Sequence, residues 1–354
     1  VKETTSFIGE GDGDGEPWFI YLPFNHVHVP DFVSEKFCGT TLRGTFGDAL
    51  AEMDWAVGEI YKHLEVTGQL ENTVIFFTSD NGPWLLEKIA GGSAGHLRDG
   101  KGTTWEGGVR VPGIISGLKG QLSDVPRTDR TVVATYDIFA TAAKLAGVNL
   151  PDDRVIDGVD LTPLMFAGDE NFTPHECIFH YKGSPWETDC GYDKCEGLWA
   201  VRCGGYKAHF VTNNSTFDGK GAFQDAVFHD PPLIYAINRD PGENFVLTQG
   251  TGEWNSAYDT ITSAVTEHMK NFTQVPNQAL LGTDYDLMPC CNGINKQTAS
   301  CVCNEENFDV FVCNMKEEES GFSEDLYIRE ETNTSPDDYN PSSCVNLESA
   351  LRPY

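Results

Sequence analysis

The sequence predicts an α/β fold, with a mostly parallel sheet layered by helices, then a small antiparallel sheet carrying one packed helix. Two observations predict it. Over residues 18–79 an apolar run, a helical stretch and a second apolar run follow one another, the order of a βαβ unit. From about residue 170 short apolar strands succeed each other, and Gly204-Gly205 between two of them signals a hairpin.

Residues 1–16 are rich in Gly, Asp and Glu and read as a loop. Trp18-Phe19-Ile20-Tyr21-Leu22 reads as a buried strand running into Asn25-His26-Val27-His28-Val29-Pro30, where the proline halts regular structure. Phe46 to about Thr67 reads as a helix, because Leu50, Met53, Val57, Ile60, Tyr61 and Leu64 recur at helical spacing, with Gly68 closing it. Val74-Ile75-Phe76-Phe77 is the second strand and residues 109–115 suggest another. Tyr136 to Ala146 reads as a helix with Thr135 as candidate cap and Gly147 as stop. Short strands are expected at 178–181, 198–202, 206–210 and 233–237, and a helix from about Trp254 to Phe272 to pack on them. Three regions result: 1–170, 171–288, and a cysteine-rich acidic tail over 289–354.

The chain has 354 residues and a formal charge of −30, with 54 acidic against 24 basic side chains. No nucleic-acid partner is expected, since phosphates must be neutralised by Lys and Arg. No run of about 18 apolar residues occurs, so no membrane span is expected. An anionic substrate would need a local positive exception, which a divalent metal and a lysine would supply. There are 11 cysteines, with Cys177, Cys190, Cys195 and Cys203 in one group and Cys290, Cys291, Cys301, Cys303, Cys313 and Cys344 in another. Asn-x-Ser/Thr sequons occur at Asn171, Asn213, Asn214, Asn271 and Asn333. Together they favour an oxidising, secretory setting, extracellular or lysosomal. Zinc is the alternative for the late cysteines, disfavoured because no histidine lies among them.

The candidate chemistry sits where the 74–77 run ends, at Thr78-Ser79-Asp80-Asn81-Gly82. Strand ends of this kind line ligand crevices in α/β sheets. Asp80 and Asn81 offer a carboxylate and a carboxamide, oxygen donors suited to a hard cation, although Asp-Asn-Gly is also an ordinary turn. Lys101 lies between Gly100 and Gly102, where the backbone can approach a ligand closely, although a lysine in a glycine loop is usually solvated. Glu106 reads as a supporting or structural carboxylate. Of His26 and His28, one alone need face a site. A metal, a lysine and a histidine gathered on one rim describe hydrolysis of a sulfate or phosphate ester: cations stabilise a tetrahedral anion, and imidazole protonates the leaving oxygen.

These motifs resemble the sulfatase family, in its arylsulfatase A and galactosamine-6-sulfatase branch. The resemblance runs in order from Pro17-Trp18-Phe19-Ile20-Tyr21-Leu22 through His28-Val29-Pro30, Phe46-Gly47-Asp48-Ala49-Leu50, Ser79-Asp80-Asn81-Gly82 and Gly100-Lys101-Gly102-Thr103-Thr104-Trp105-Glu106-Gly107-Gly108. It continues to Tyr206-Lys207-Ala208-His209-Phe210, Asp240-Pro241-Gly242-Glu243-Asn244 and the pair Cys290-Cys291. The resemblance implies an alkaline-phosphatase-like fold and a calcium-dependent sulfuric ester hydrolase. It implies Asp80 and Asn81 as metal ligands, Lys101 as a sulfate contact and His28 as the histidine near the leaving oxygen. It departs from the family in one respect: no Cys-x-Pro-x-Arg or serine counterpart occurs, so the residue oxidised to formylglycine is missing, as are further metal ligands of the family's N-terminal half. The expectation is therefore a chain that begins partway through a sulfatase and is inactive and poorly soluble alone. Its partners would be an aryl or carbohydrate sulfate ester and either a second copy of itself or an N-terminal sulfatase chain. The competing expectation is a non-catalytic matrix glycoprotein of sulfatase descent that binds sulfated polysaccharide.

Overall fold

The structure is a computed structural model; it describes residues 1–10, 17–118, 121–122, 128–167, 172–182, 197–215, 226–272, 311–312 and 345–346. The late cysteines, Cys190, Cys195, Asn171, Asn333 and nearly all of the 289–354 tail lie outside these. The chain forms two compact units, one of residues 1–20 and 59–275, the other of 21–58 and 276–354.

In the first unit the N-terminus is not the loop its composition suggests. Lys2–Glu10 form helix α1. Ile8 anchors it, fully buried with Leu64 and Leu70, and Trp18, Ile20 and Ile75 pack around them. Burial of one large aliphatic side chain, worth roughly 1.5–3 kcal/mol, outweighs weak local propensity.

Helix α2 (Gly44–Val66) runs from the second unit into the first. Its inner stripe is Ala49, Met53, Ala56, Ile60 and Leu64, at the spacing of one helix face. Leu50 and Tyr61, expected on that face, are exposed.

Strand β1 (Val74–Thr78) pairs antiparallel with β2 (Gly113–Gly117), from Val74 opposite Gly117 to Thr78 opposite Gly113. No parallel pairing occurs among the described residues. The 18–22 run is not a strand either: Trp18 and Ile20 turn inward while Phe19 and Tyr21 stand in solvent, an extended alternation with no ladder partner. The strand expected over 109–115 begins later, because Glu106–Val109 coil into a single helical turn, α3.

Helix α4 (Asp137–Leu145) ends as expected. Gly147, at φ 69°, lets its own N–H reach Lys144 O and that of Val148 reach Ala143 O, a Schellman closure. Its start is not capped by Thr135. The buried Asp137 carboxylate accepts from the N–H groups of Ala134 and Val159 at 2.7 and 2.9 Å, and His175 Nε2 lies 2.8 Å away.

The four-stranded antiparallel sheet has order β3 (Cys177–Lys182), β4 (Gly197–Cys203), β5 (Tyr206–Thr212), β6 (Val227–Tyr235). Gly204, at φ 53°, makes the β4–β5 turn. Helix α5 (Gly252–Asn271), capped by Thr251 Oγ1 accepting from Trp254 N–H at 3.2 Å, packs Trp254, Ala257 and Ile261 on Val201, Ala208 and Ile234. Cys177 and Cys203 face each other across β3 and β4 and form a disulfide.

In the second unit, Asp48 is buried at the start of α2. It accepts from the N–H groups of Gly39 and Thr41, both at 2.8 Å, and so fixes the preceding loop. Glu52 accepts from Ser34 N–H. Strands β7 (Phe311–Val312) and β8 (Val345–Asn346) pair antiparallel.

Candidate functional site

Asp80 and Asn81 occupy the turn leaving β1. Asn81 Nδ2 donates to Gly82 O at 2.8 Å, which leaves its Oδ1 as an acceptor, and Ser79 Oγ donates to Asn81 O at 3.0 Å. Asp80 is exposed, and among the described residues its carboxylate accepts no hydrogen bond.

This turn is locked to the glycine-rich loop of residues 98–108. Gly82 N–H donates to Gly108 O at 3.0 Å, Lys101 N–H to Pro83 O at 2.8 Å, and Gly107 N–H to Arg98 O at 2.8 Å. The two backbones touch: a Cβ on Gly82 would collide with Gly107 O, and one on Gly107 with the carbonyl oxygens of Arg98 and Asp99. The glycines are needed for this approach rather than for flexibility. Lys101 is half-buried, with Nζ 5.2 Å from the centre of the Trp84 ring. The structure thus brings Asp80, Asn81 and Lys101 onto one interlocked pair of loops.

His28 belongs to the other unit. It is exposed, and Nδ1 lies 2.8 Å from Val29 O. A carbonyl only accepts, so Nδ1 carries a proton there. His26 differs from it: half-buried, with Nε2 3.6 Å from Glu52 and no hydrogen bond of its own.

The sequence reading missed how the glycine loop is held. Glu106, with its side chain 2% exposed, accepts from Lys207 Nζ through one oxygen and from Arg202 Nη1 through the other, each at 3.0 Å. Its own N–H donates to Glu243 Oε2 at 2.6 Å. Glu243 Oε1 lies 2.7 Å from His209 Nε2 and 3.7 Å from Lys207 Nζ. Arg98 donates to Glu243 O at 3.0 Å, and its guanidinium lies 3.6 Å from the centre of the Trp105 ring. Trp105 Nε1 donates to Asn213 O.

Lys207, His209, Glu243 and Glu106 are all fully buried. Burial pushes His209 well below the usual imidazole range and Lys207 reinforces the shift, so the ring is neutral. It donates Nε2–H to Glu243, while Nδ1 accepts from Thr104 Oγ1 at 3.4 Å. His180, on β3, is lowered to about 3, first by burial and then by Lys207. Burial raises the Glu243 carboxyl, against the pull of Lys207.

A lysine and a histidine two apart on a strand look like a solvent-facing row. Here the two carboxylates cover that face, and the sheet becomes the anchor of the loop bearing Lys101. Glu106, expected as a supporting or structural carboxylate, ties the loop to the sheet through Lys207 and Arg202.

Asp80 and Asn81 suit a hard cation such as calcium by donor type. Among the described residues no three His, Cys, Asp or Glu side chains gather as a metal group, and two oxygen donors fall short of the roughly six to eight that calcium takes.

The Sulfatase family model matches residues 1–148, and a model of the C-terminal region of aryl-sulfatase matches 173–303. Human arylsulfatase A is 36% identical over 307 residues, covering 84% of this chain and 58% of its own length. Mouse N-acetylgalactosamine-6-sulfatase is 35% identical over 297 residues, covering 79% and 54%. The crystal structure of the PsFucS1 sulfatase from Pseudoalteromonas sp. superposes with a TM-score of 0.66 at 29% identity, over 77% of this chain and 53% of that one. The chain therefore spans a little over half the length of these relatives.

Proposed function

The chain belongs to the sulfatase family, and on that premise we propose that it supplies the cation- and oxyanion-binding rim of a sulfuric ester hydrolase. The observation that carries the proposal is the interlock of the Asp80-Asn81 turn with the Lys101 loop, which holds two oxygen donors and an ammonium group on one rigid support. Lys101 donates to the sulfate oxygens and offsets the negative charge that grows on them. Asp80 and Asn81 would hold calcium as two of its roughly six to eight oxygen ligands. When bound, calcium supplies positive charge that orients the sulfate ester. His28, carried from the sequence reading, handles the proton of the leaving alcohol.

These 354 residues contain no Cys-x-Pro-Ser-Arg or serine counterpart, so the formylglycine nucleophile is expected from a segment outside them, and the chain alone is expected to be inactive. The mostly parallel sheet belongs to the same proposal. The substrate class is an aryl or carbohydrate sulfate. Cysteines and sequons support a secretory, extracellular or lysosomal setting, and no described helix is long and apolar enough to cross a membrane.

The test is Lys101→Ala in an active protein containing these residues, assayed on an aryl sulfate. Turnover is expected to fall on the order of 10²–10³-fold, as for loss of one charge-stabilising donor. An unchanged kcat would remove Lys101 from the site.

A further inference from the structure

The five sequons are equivalent as sequence, and the fold separates those it describes. Asn213 is 3% exposed, with Nδ2 turned inward to Gly102 O at 3.4 Å. Asn214 Oδ1 accepts from Trp105 Nε1 at 3.0 Å. Ser215, the hydroxyl residue of the Asn213 sequon, is bound through both N–H and Oγ to the Asp99 carboxylate. A sugar on either asparagine would stand where the glycine loop packs on the sheet.

Asn271 differs in each respect. It is the exposed last residue of α5, and among the described residues its Nδ2 donates to Glu267 alone, to O and Oε1, each at 3.2 Å. Those contacts face solvent, and a singly substituted Nδ2 keeps one hydrogen for one of them. Beside it, Tyr181 and Phe272 stack at 5.2 Å with 40% and 41% of their surfaces exposed, and Met269 adds 51% of its own. This apolar shelf suits the flat face of a sugar ring.

We propose that Asn271 carries an N-linked glycan and that Asn213 and Asn214 do not. The inference rests on the secretory reading above. In the transfer, Asn271 Nδ2 forms a bond to the anomeric carbon of a lipid-diphosphate-linked oligosaccharide. The bond from that carbon to the diphosphate oxygen breaks, the lipid diphosphate leaves with the electron pair, and Nδ2 gives up one proton. Transfer accompanies synthesis, so a chain modified at Asn213 could not close the packing around Gly102. Folded molecules are those left bare there.

The test is secretion of a protein containing these 354 residues from a eukaryotic host behind a cleavable signal peptide. Peptide N-glycosidase in heavy-oxygen water then converts each occupied Asn to labelled Asp, and peptides are read by mass spectrometry. Label is expected at Asn271 in most molecules and at neither Asn213 nor Asn214 in the soluble fraction. Thr273→Ala should abolish the Asn271 label and Thr273→Ser should keep it. An unlabelled Asn271, with label at Asn171 or Asn333, overturns the inference and leaves the secretory reading standing. Label at Asn213 or Asn214 in soluble protein overturns it too. Protein from its natural source with no label at any sequon overturns the secretory reading, while the host experiment still decides Asn271.

Discussion

Replacing Glu106 by Gln removes one charge from the buried cluster and little else. The isostere retains one oxygen, but its amide group turns a donor toward either Lys207 or Arg202, each 3.0 Å from the present carboxylate. With that donor toward Lys207, the fully buried ammonium keeps, among the described carboxylates, Glu243 at 3.7 Å. Breaking a buried ion pair by removing one partner costs about 3–5 kcal/mol, and the surviving Glu243 contact places this variant near the lower end, about 3 kcal/mol. That is roughly a hundredfold in the folded-to-unfolded ratio. Urea unfolding of wild type and variant, compared at equal m, measures it. The double variant Glu106→Gln, Lys207→Met should recover part of the loss, because no stranded ammonium remains. In the single variant, amide exchange should quicken at Gly82 and Lys101, whose N–H groups tie the two loops together, and at Gly107, whose N–H closes the glycine loop on Arg98 O. A single variant within about 0.5 kcal/mol of wild type, or a double variant no better than the single, would refute the role assigned to this cluster.

Further predictions concern acid, reduction, packing and proton transfer. His180 is neutral and depressed to about 3 in the fold, so its contribution is whole above the unfolded value near 6.5. The contribution is lost as pH falls toward 3, with about 2 kcal/mol gone by pH 5, and His180→Phe should flatten the measured stability–pH curve there. His209, depressed for the same reason, adds to this slope, whereas the raised Glu243 opposes it. Reducing Cys177–Cys203, which spans 26 residues, should cost about 3 kcal/mol and lower Tm, and Cys177→Ala should remove that share of the response of Tm to reductant. Gly82→Ala should destabilise by about 1–3 kcal/mol through collision with Gly107 O, whereas Gly58→Ala, with open space at its Cβ, should not. In an active protein containing these residues, His28→Ala should slow esters of poor leaving alcohols more than esters of acidic phenols, and an equal loss on both would argue against proton transfer by His28.

The sequence by itself determined the local order and the chemistry of single loops. Helical spacing announced α2, Gly147 the end of α4, and Gly204-Gly205 the hairpin of the small sheet, because each depends on neighbours within a few residues. The Asp-Asn-Gly turn and the Lys101 loop were legible for the same reason, as was the family. Only tertiary structure decided which faces are inside. Ile8 gains a helix for a segment that looks like a loop, because Leu64 and Leu70 are there to bury it. Residues 18–22 have strand composition but find no ladder among the described residues. The sequence placed Lys207 and His209 on a short strand, and only the fold shows that Glu106 and Glu243, 101 and 34 residues distant in the chain, close over them. Periodicity reports that a face differs from its opposite, not what covers it. Burial of a charge depends on a partner brought from elsewhere in the chain, and that partner appears only once the chain has folded.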